Sequence, residues 1–508
     1  MSSFKPILKN LSAIFTSNVI SVLTELVQPA IFLHGYSKAL YADWIVLSSA
    51  VSYLATLNFG LQTYVNQDLT IRYNRGEDDS FHVQQSTALR ALVATGLLAA
   101  AGCLVLFVIP VEKIFGLSLG HWAAATALYF ISLQILMGTL IYSYFAGTFM
   151  VVGLAHRGNN WNNAQRFSNA VVLCTLAFLH KPLTVLAFGQ FAVYLVLLTF
   201  LLIDLKRTAP DIFPTMRYWD GPGFRHQLHK SAYYALLFSC NYLGYEVPLI
   251  LLRRFAGADP VVIFFIGRKI FSFGRQILTG LTQSMGPEIT RLFGQEDWVG
   301  LHKLYEYSER VIFALITAVN VPLFVFSPIL LHIWLHKQTG LFDLKTYLLL
   351  AATAIVICVK EHKQQFQIST NTHIILSRVT FGGYVAMAIV SIPAIHFFGL
   401  PGLVSTWLVT ELYQAAAIIY LNRRLFVQFG AISTADVPKL AALSIGGLAV
   451  GCVLLRQAAG AGWSLQERIS TNLVEVVVLI GAAYWAFHIQ PLTGFLTSKI
   501  RGRMRPEV

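Results

Sequence analysis

Three cations lie inside an apolar stretch of the chain. Arg268, Lys269 and Arg275 all fall within residues 260–284, which are otherwise rich in Val, Ile, Phe and Leu. Arg268 and Arg275 are seven residues apart, two helical turns, and so share one face of a helix; Lys269 lies about 100° from Arg268. A guanidinium offers a planar fork of donors that matches phosphate oxygens, so this face suits a phosphate-bearing ligand. The blander reading of Arg268 and Lys269 is that they snorkel to a polar interface near Asp259, only about nine residues away. Glu25, Glu246, Glu411 and Glu475 sit in comparable apolar surroundings. Two roles are open to them: static ion pairs with buried cations, or desolvated acids that titrate and couple to a proton gradient. Asn58 and Gln62, with Asn18, Gln28, Asn241 and Gln276, add hydrogen-bonding groups of a kind that also holds apolar helices together.

Several chemistries are absent from the sequence. No Gly-Lys dipeptide occurs, so there is no Walker A loop to hold a nucleotide. The histidines form no HExxH pattern. Cys103, Cys174, Cys240, Cys358 and Cys452 fall in apolar runs without CxxC or CxxH spacing, which reads as buried small hydrophobes rather than a disulfide framework or zinc site. Glu77-Asp78-Asp79 reads as a solvated turn. Neither metal nor cofactor is expected.

The elements that must position these residues are set by composition. Of 508 residues 56% are hydrophobic and 12% charged, about half the charge usual in soluble domains. Apolar runs of about twenty residues recur, enough for a helix to cross roughly 30 Å of hydrocarbon. The expectation is an all-α polytopic membrane protein with about fourteen transmembrane helices, near 11–33, 40–62, 90–110, 122–146, 164–180, 183–203, 231–252, 260–284, 311–334, 346–360, 376–397, 402–422, 438–456 and 470–489. The first run, from Leu11 past Phe32 behind Lys5 and Lys9, is too long for a signal peptide and reads as a retained helix. With a cytoplasmic N-terminus, 25 Lys and Arg fall in cytoplasmic segments and 9 in the opposite loops, leaving the three of the eighth span. That bias satisfies the positive-inside rule, places both termini in the cytoplasm, and assigns the net charge of +13 to loops facing anionic lipid rather than to nucleic acid.

An internal repeat is visible in the charges. Arg72, Glu77, Asp78 and Arg90 after the second span recur as Arg291, Glu296, Asp297 and Arg310 after the eighth, offset by 219, 219, 219 and 220. Shifting the first span by 219 lands on the seventh. Two six-helix lobes of one orientation follow, related by a pseudo-two-fold axis along the membrane normal. The organisation expected is an N-terminal lobe at 1–205, a cytoplasmic Pro/Gly-containing linker at 206–230, a C-terminal lobe at 231–425, and two added helices with a basic cytoplasmic tail at 426–508. Pro29 and Pro248 mark kinks. Substrate is expected between the halves, near the midplane.

Tyr41-Ala-Asp-Trp44 followed by Leu57-Asn-Phe-Gly-Leu-Gln-Thr-Tyr-Val-Asn-Gln67 resembles the helix 2 signature of Wzx-type oligosaccharide flippases. Ile266-Gly-Arg-Lys269 through Gly286-Pro-Glu-Ile-Thr-Arg291 resembles that family's helix 8 and following loop, and Gly399-Leu-Pro-Gly-Leu403 its helix 11–12 turn. The resemblance covers nearly the whole chain and places it in the multidrug/oligosaccharidyl-lipid/polysaccharide flippase superfamily, which includes lipid II flippases and multidrug exporters. It implies a bacterial inner-membrane transporter, not an enzyme. The implied cargo is an isoprenoid-pyrophosphate-linked oligosaccharide moved to the periplasmic leaflet by alternating access, with membrane lipid and polysaccharide-assembly proteins as further partners. Arg275, Arg268, Lys269, Asn58 and Gln62 would bind substrate, while Glu25, Glu246 and Glu411 would couple ions or pair with cations.

Two other classes compete. A multidrug exporter shares the fold, although cations on the eighth helix oppose the lipophilic cations such exporters usually carry. A membrane polysaccharide ligase or glycosyltransferase needs catalytic groups in an outer loop, yet the first such loop is only His34-Gly-Tyr-Ser-Lys38. The topology is directly testable. In a background without the native cysteines, single cysteines at Gly76, Gly221 and Gln295 are predicted to resist an impermeant thiol reagent added to intact cells; labelling of all three would invert the assignment.

Overall fold

The computed structural model describes residues 4–58, 65–66, 69–70, 72–73, 77–222, 224–225, 239–240, 242–286, 289, 292–293, 296–335, 340–370, 374–427 and 434–487. Among these there is no strand, and the helices follow the order of the fourteen expected spans, thirteen as long helices and the seventh as a short one that overlaps its expected span at 247–252. They are α1 (Phe4–Gly35), α2 (Lys38–Val51), α3 (Asp78–Phe107), α4 (His121–Thr148), α5 (Ala155–Phe178), α6 (Leu183–Thr208), α7 (Val247–Phe255), α8 (Ala258–Ser284), α9 (Trp298–Leu335), α10 (Leu344–Ser369), α11 (374–398), α12 (400–426), α13 (Asp436–Gly460) and α14 (Leu465–Ala486). Seven described helical stretches are long and apolar enough to cross a membrane. Leu98, Val477 and Trp485 stand mostly exposed on them, as side chains facing hydrocarbon do. The chain is a multi-pass membrane protein.

Breaks in the helices follow local chemistry. Gly399 adopts φ +62° between α11 and α12, a conformation that costs glycine least, and Pro401 then opens α12. Pro248 stands in the first turn of α7, directly after a π-turn at Tyr242–Glu246, where its missing N–H costs no helical bond. Pro29 lies within the continuous helix α1. Much of the expected seventh span, 231–238, lies outside the described residues, as does Arg291.

The repeat extends from charges to elements. Lys38 and Ala258, Asp78 and Trp298, His121 and Leu344, and Ala155 and Ile374 begin successive helices at separations of 220, 220, 223 and 219 residues. Phe81 and Leu301, also 220 apart, are both buried, and their N–H groups donate to Glu77 O (2.8 Å) and Asp297 O (2.9 Å) in equivalent first turns.

The chain forms two compact units, 1–262 and 263–508. In the first, α1 packs on α5, α4 and α5 pack on α6, and α2 packs on α4. Helices α1 and α5 run parallel: Asn163 Nδ2 donates to Ala13 O (2.7 Å) at one end, and His180 Nδ1 donates to Gly35 O (2.9 Å) at the other. Part of the linker folds back on α3, where Gln85 Nε2 donates to Ile212 O (2.8 Å) and Arg90 Nε to Met216 O (2.6 Å). Helix α7 packs on α2 through an ion pair of Arg253 with Asp43, which also accepts from the Ser118 N–H (2.9 Å) and hydroxyl. Sequence counting assigns Arg253 to an outer loop, but the structure buries it because Asp43 neutralises it. In the second unit, α9 packs on α10, α13 and α14. Tyr305, Phe366 and Phe426 meet edge-to-face at centroid distances of 4.8 and 5.2 Å, with Leu301 and Ile289 around them.

Removing one partner of a sealed ion pair leaves an uncompensated charge. Asp43→Asn is predicted to destabilise the protein by about 3–5 kcal/mol, read as a lower thermal midpoint in detergent, and Asp43→Leu/Arg253→Met to recover most of it. A double variant as unstable as the single would show that the pair is not the cause.

Candidate functional site

The densest polar cluster in the second unit is organised by α10. Asp343 caps this helix by accepting from Thr346 N–H (3.0 Å), and α10 then runs 26 residues to Ser369, about 39 Å. The expected span at 346–360 ends early because Lys360-Glu361-His362-Lys363 looks like the start of a loop. These four residues are instead helical. At 100° per residue they point to different sides of α10, so Lys360 meets α11 and α12, Glu361 meets α8, and His362 and Lys363 meet α9.

Lys360 and Lys363 are buried and ion-paired, which removes them from the cytoplasmic loop cations to which sequence counting assigns them. Lys360 Nζ donates to Glu411 of α12, to Gln414 Oε1 (2.9 Å) and to Tyr384 Oη of α11 (3.0 Å). Glu411 accepts further from Tyr384 Oη (2.7 Å) and Trp407 Nε1 (3.1 Å). Three donors, from Lys360, Tyr384 and Trp407, thus compensate a carboxylate that is fully buried. Lys363 Nζ bonds Glu309 of α9 (2.6 Å) and sits 4.1 Å from the Tyr305 ring centroid. His362 lies 2.9 Å from Ser308 Oγ. Because Ser308 Oγ spends its proton on Tyr305 O (3.0 Å), the His362 Nε2–H is the donor in that contact.

Glu361 differs from the other three. Thr279 Oγ1 donates to its Oε2 (2.6 Å) and Arg275 Nη1 to its Oε1 (3.4 Å), both from α8. The Arg275 and Glu361 side chains are 26% and 23% exposed, so this pair is partly open where the other two are sealed. The structure therefore joins two sequence-singled residues, Arg275 and Glu411, through adjacent residues of one helix. Arg268 stacks over Phe264 and Phe265 (5.5 and 5.9 Å), and Lys269 over Phe265 (5.6 Å), one helical turn away on α8. Glu25 is half-buried in α1 and Glu246 half-buried at the end of its π-turn. Asn58 ends a 3-10 turn, Ser52–Asn58; Gln62 lies outside the described residues. Glu475 is buried on α14 with neither carboxyl oxygen partnered among the described residues.

Sequence reasoning missed Lys360, Glu361, His362, Lys363, Glu309 and Tyr384. The signal was present: an expected span of 15 residues rises only about 22 Å, too short to cross, so the helix had to continue through the charges.

No protein-family model matches the chain, and no curated protein matches it by sequence. Solved structures do match it. An inward-facing multidrug resistance MATE family transporter of the MOP superfamily aligns with a TM-score of 0.67 at 13% identity, over 80% of this chain and 95% of that one. The lipid II flippase MurJ, in an inward closed conformation, aligns with a TM-score of 0.65 at 10% identity, over 96% of this chain and all of the flippase. A MOP superfamily transporter from Pyrococcus furiosus, whose binding pocket is described as having reversed polarity, aligns at 0.56 and 12% identity over 83% and 96%. The fold is that of the MOP superfamily transporters.

The sealed and half-open pairs should respond differently to neutralisation. Lys360→Met is predicted to cost about 3–5 kcal/mol of stability, because it strands Glu411, whereas Glu361→Gln should cost under about 1 kcal/mol. Thermal unfolding of the two variants in one detergent checks this; equal losses would refute the distinction.

Proposed function

We propose that the protein is a flippase of the Wzx type, carrying isoprenoid-pyrophosphate-linked oligosaccharide from the cytoplasmic to the periplasmic leaflet of a bacterial inner membrane. The observation that carries this reading is Arg275, a guanidinium on a membrane helix held by a partly exposed carboxylate at 3.4 Å. That geometry keeps the cation soluble in the bundle when no substrate is bound and lets phosphate oxygens displace Glu361 from it. Arg268 and Lys269 extend the positive potential along α8, with Asn58 and Gln62 as further contacts. The likeness to a lipid II flippase over 96% of the chain supports the same class of cargo. Sites exposed alternately to the two sides would move the head group while the polyprenyl tail stays in lipid. Glu25 and Glu246 are proposed for ion coupling, and Glu411 for a static pair.

A second reading, export of small lipophilic molecules, draws on the TM-score of 0.67 to a multidrug transporter. Gene deletion followed by mass spectrometry of the lipid fraction separates the two. Accumulation of a complete lipid-linked precursor is expected; unchanged lipids with raised drug sensitivity would favour the exporter. Arg275→Ala is expected to abolish export at normal protein abundance, and Arg275→Lys to restore it partly, since the ammonium keeps the charge but loses the fork. Full export by Arg275→Ala would remove this residue from the binding site.

A further inference from the structure

Helix α5 has an unusual composition for a segment inside a membrane bundle. Six of residues 155–169 are Asn or Gln, and the helix is not among those apolar enough to cross a membrane by themselves. Asn163 serves packing, since it is buried and donates to Ala13 O of α1. Asn159, Asn162, Arg166 and Asn169, spaced three, four and three apart, form a single stripe. Continued by the helical period, the same stripe reaches Leu173 and Ala177, which are buried, so it lies on the interior side of the helix. At the level of the amides that side is not closed: Arg166 is exposed, and Asn162 and Asn169 are half-buried. The side of the helix that carries the stripe is thus open in the first half of α5 and sealed in the second. Ser17 of α1 stands opposite, 2.6 Å from Arg166 Nη1. Asn169 Oδ1 and, on α4, Gln134 Oε1 are buried acceptors with no donor among the described residues.

We propose that this stripe is the subsite for the saccharide part of the cargo, an inference that rests on the flippase reading. Each amide supplies two donors and an acceptor in one plane, the complement of vicinal sugar hydroxyls, which both donate and accept. A lipophilic drug would leave these groups desolvated and unpaired, and an anion would find a single guanidinium, already bonded to Ser17. The amides on α5 would therefore read sugar, and the cations on α8 phosphate.

The test uses the full-length protein in cells that make the complete lipid-linked oligosaccharide, and in cells lacking a late glycosyltransferase that make only its single-sugar precursor. Outer-leaflet material is measured by mass spectrometry after treatment with an impermeant glycan oxidant. Asn162→Ala/Asn169→Ala, at wild-type abundance, is expected to lower export of the complete lipid about tenfold and leave the single-sugar lipid within twofold. If the double variant fails to accumulate, Asn162→Leu alone, close in volume but without hydrogen bonds, should show the same selectivity at about threefold. Equal loss of both lipids, or of neither, overturns the saccharide subsite while leaving the flippase reading intact. Failure of either lipid to accumulate when the gene is deleted overturns the flippase reading itself.

Discussion

Helix α10 carries four ionisable side chains in a row, and in a membrane bundle none can be left without compensation. Moving a charge from water into a low-dielectric interior costs several kcal/mol, so each residue of Lys360-Glu361-His362-Lys363 requires its own partner. The partners lie on α8, α9, α11 and α12. One helical turn therefore fixes the register of four neighbours at once. Sliding α10 by a single residue would rotate every side chain by 100° and strand at least two charges. Packing of Leu and Val, which is non-directional, could not impose such a constraint.

The same arrangement separates stability from reactivity. Lys360 with Glu411, and Lys363 with Glu309, are buried, so their electrostatic partners are fixed at folding. Arg275 with Glu361 is partly open, longer and shared with a threonine hydroxyl. An exposed pair is held weakly enough to exchange partners. Arg275 on α8 is thus anchored by a helix whose other charges are locked.

Much of this was legible in the sequence, for physical reasons that can be named. Apolar runs announce spans because hydrocarbon admits little else, and thirteen of the fourteen appear in order as long helices among the described residues. Gly399 marks the α11–α12 turn because its φ of +62° strains other residues. The offset of about 219 residues survives as recurring helix starts. What stayed hidden were charges that pass for loop residues. Arg253 and Asp43 are 210 positions apart, and no local pattern reveals that each neutralises the other. Lys360 and Lys363 likewise read as a basic loop until Glu411 and Glu309 are found beside them. Periodicity reports burial of apolar groups; a buried ion pair is a property of two distant positions together.

The linker segment folded along α3 has a consequence of its own. Gln85 and Arg90 hold it by its carbonyl oxygens, Ile212 O and Met216 O, and by Arg217 O at 3.4 Å. Ile212 is buried, Phe213 packs on Phe145 and Thr215 Oγ1 meets Ser86 Oγ at 3.3 Å, but the carbonyl contacts at Met216 and Arg217 need no particular residue type, since every residue supplies a carbonyl. Met216, Arg217, Tyr218 and Trp219 are left exposed. A cation and two amphipathic rings in succession are groups that settle at a lipid head-group boundary. Held at this end by its carbonyl oxygens, the segment keeps the side chains of residues 216–219 for whatever surface lies outside.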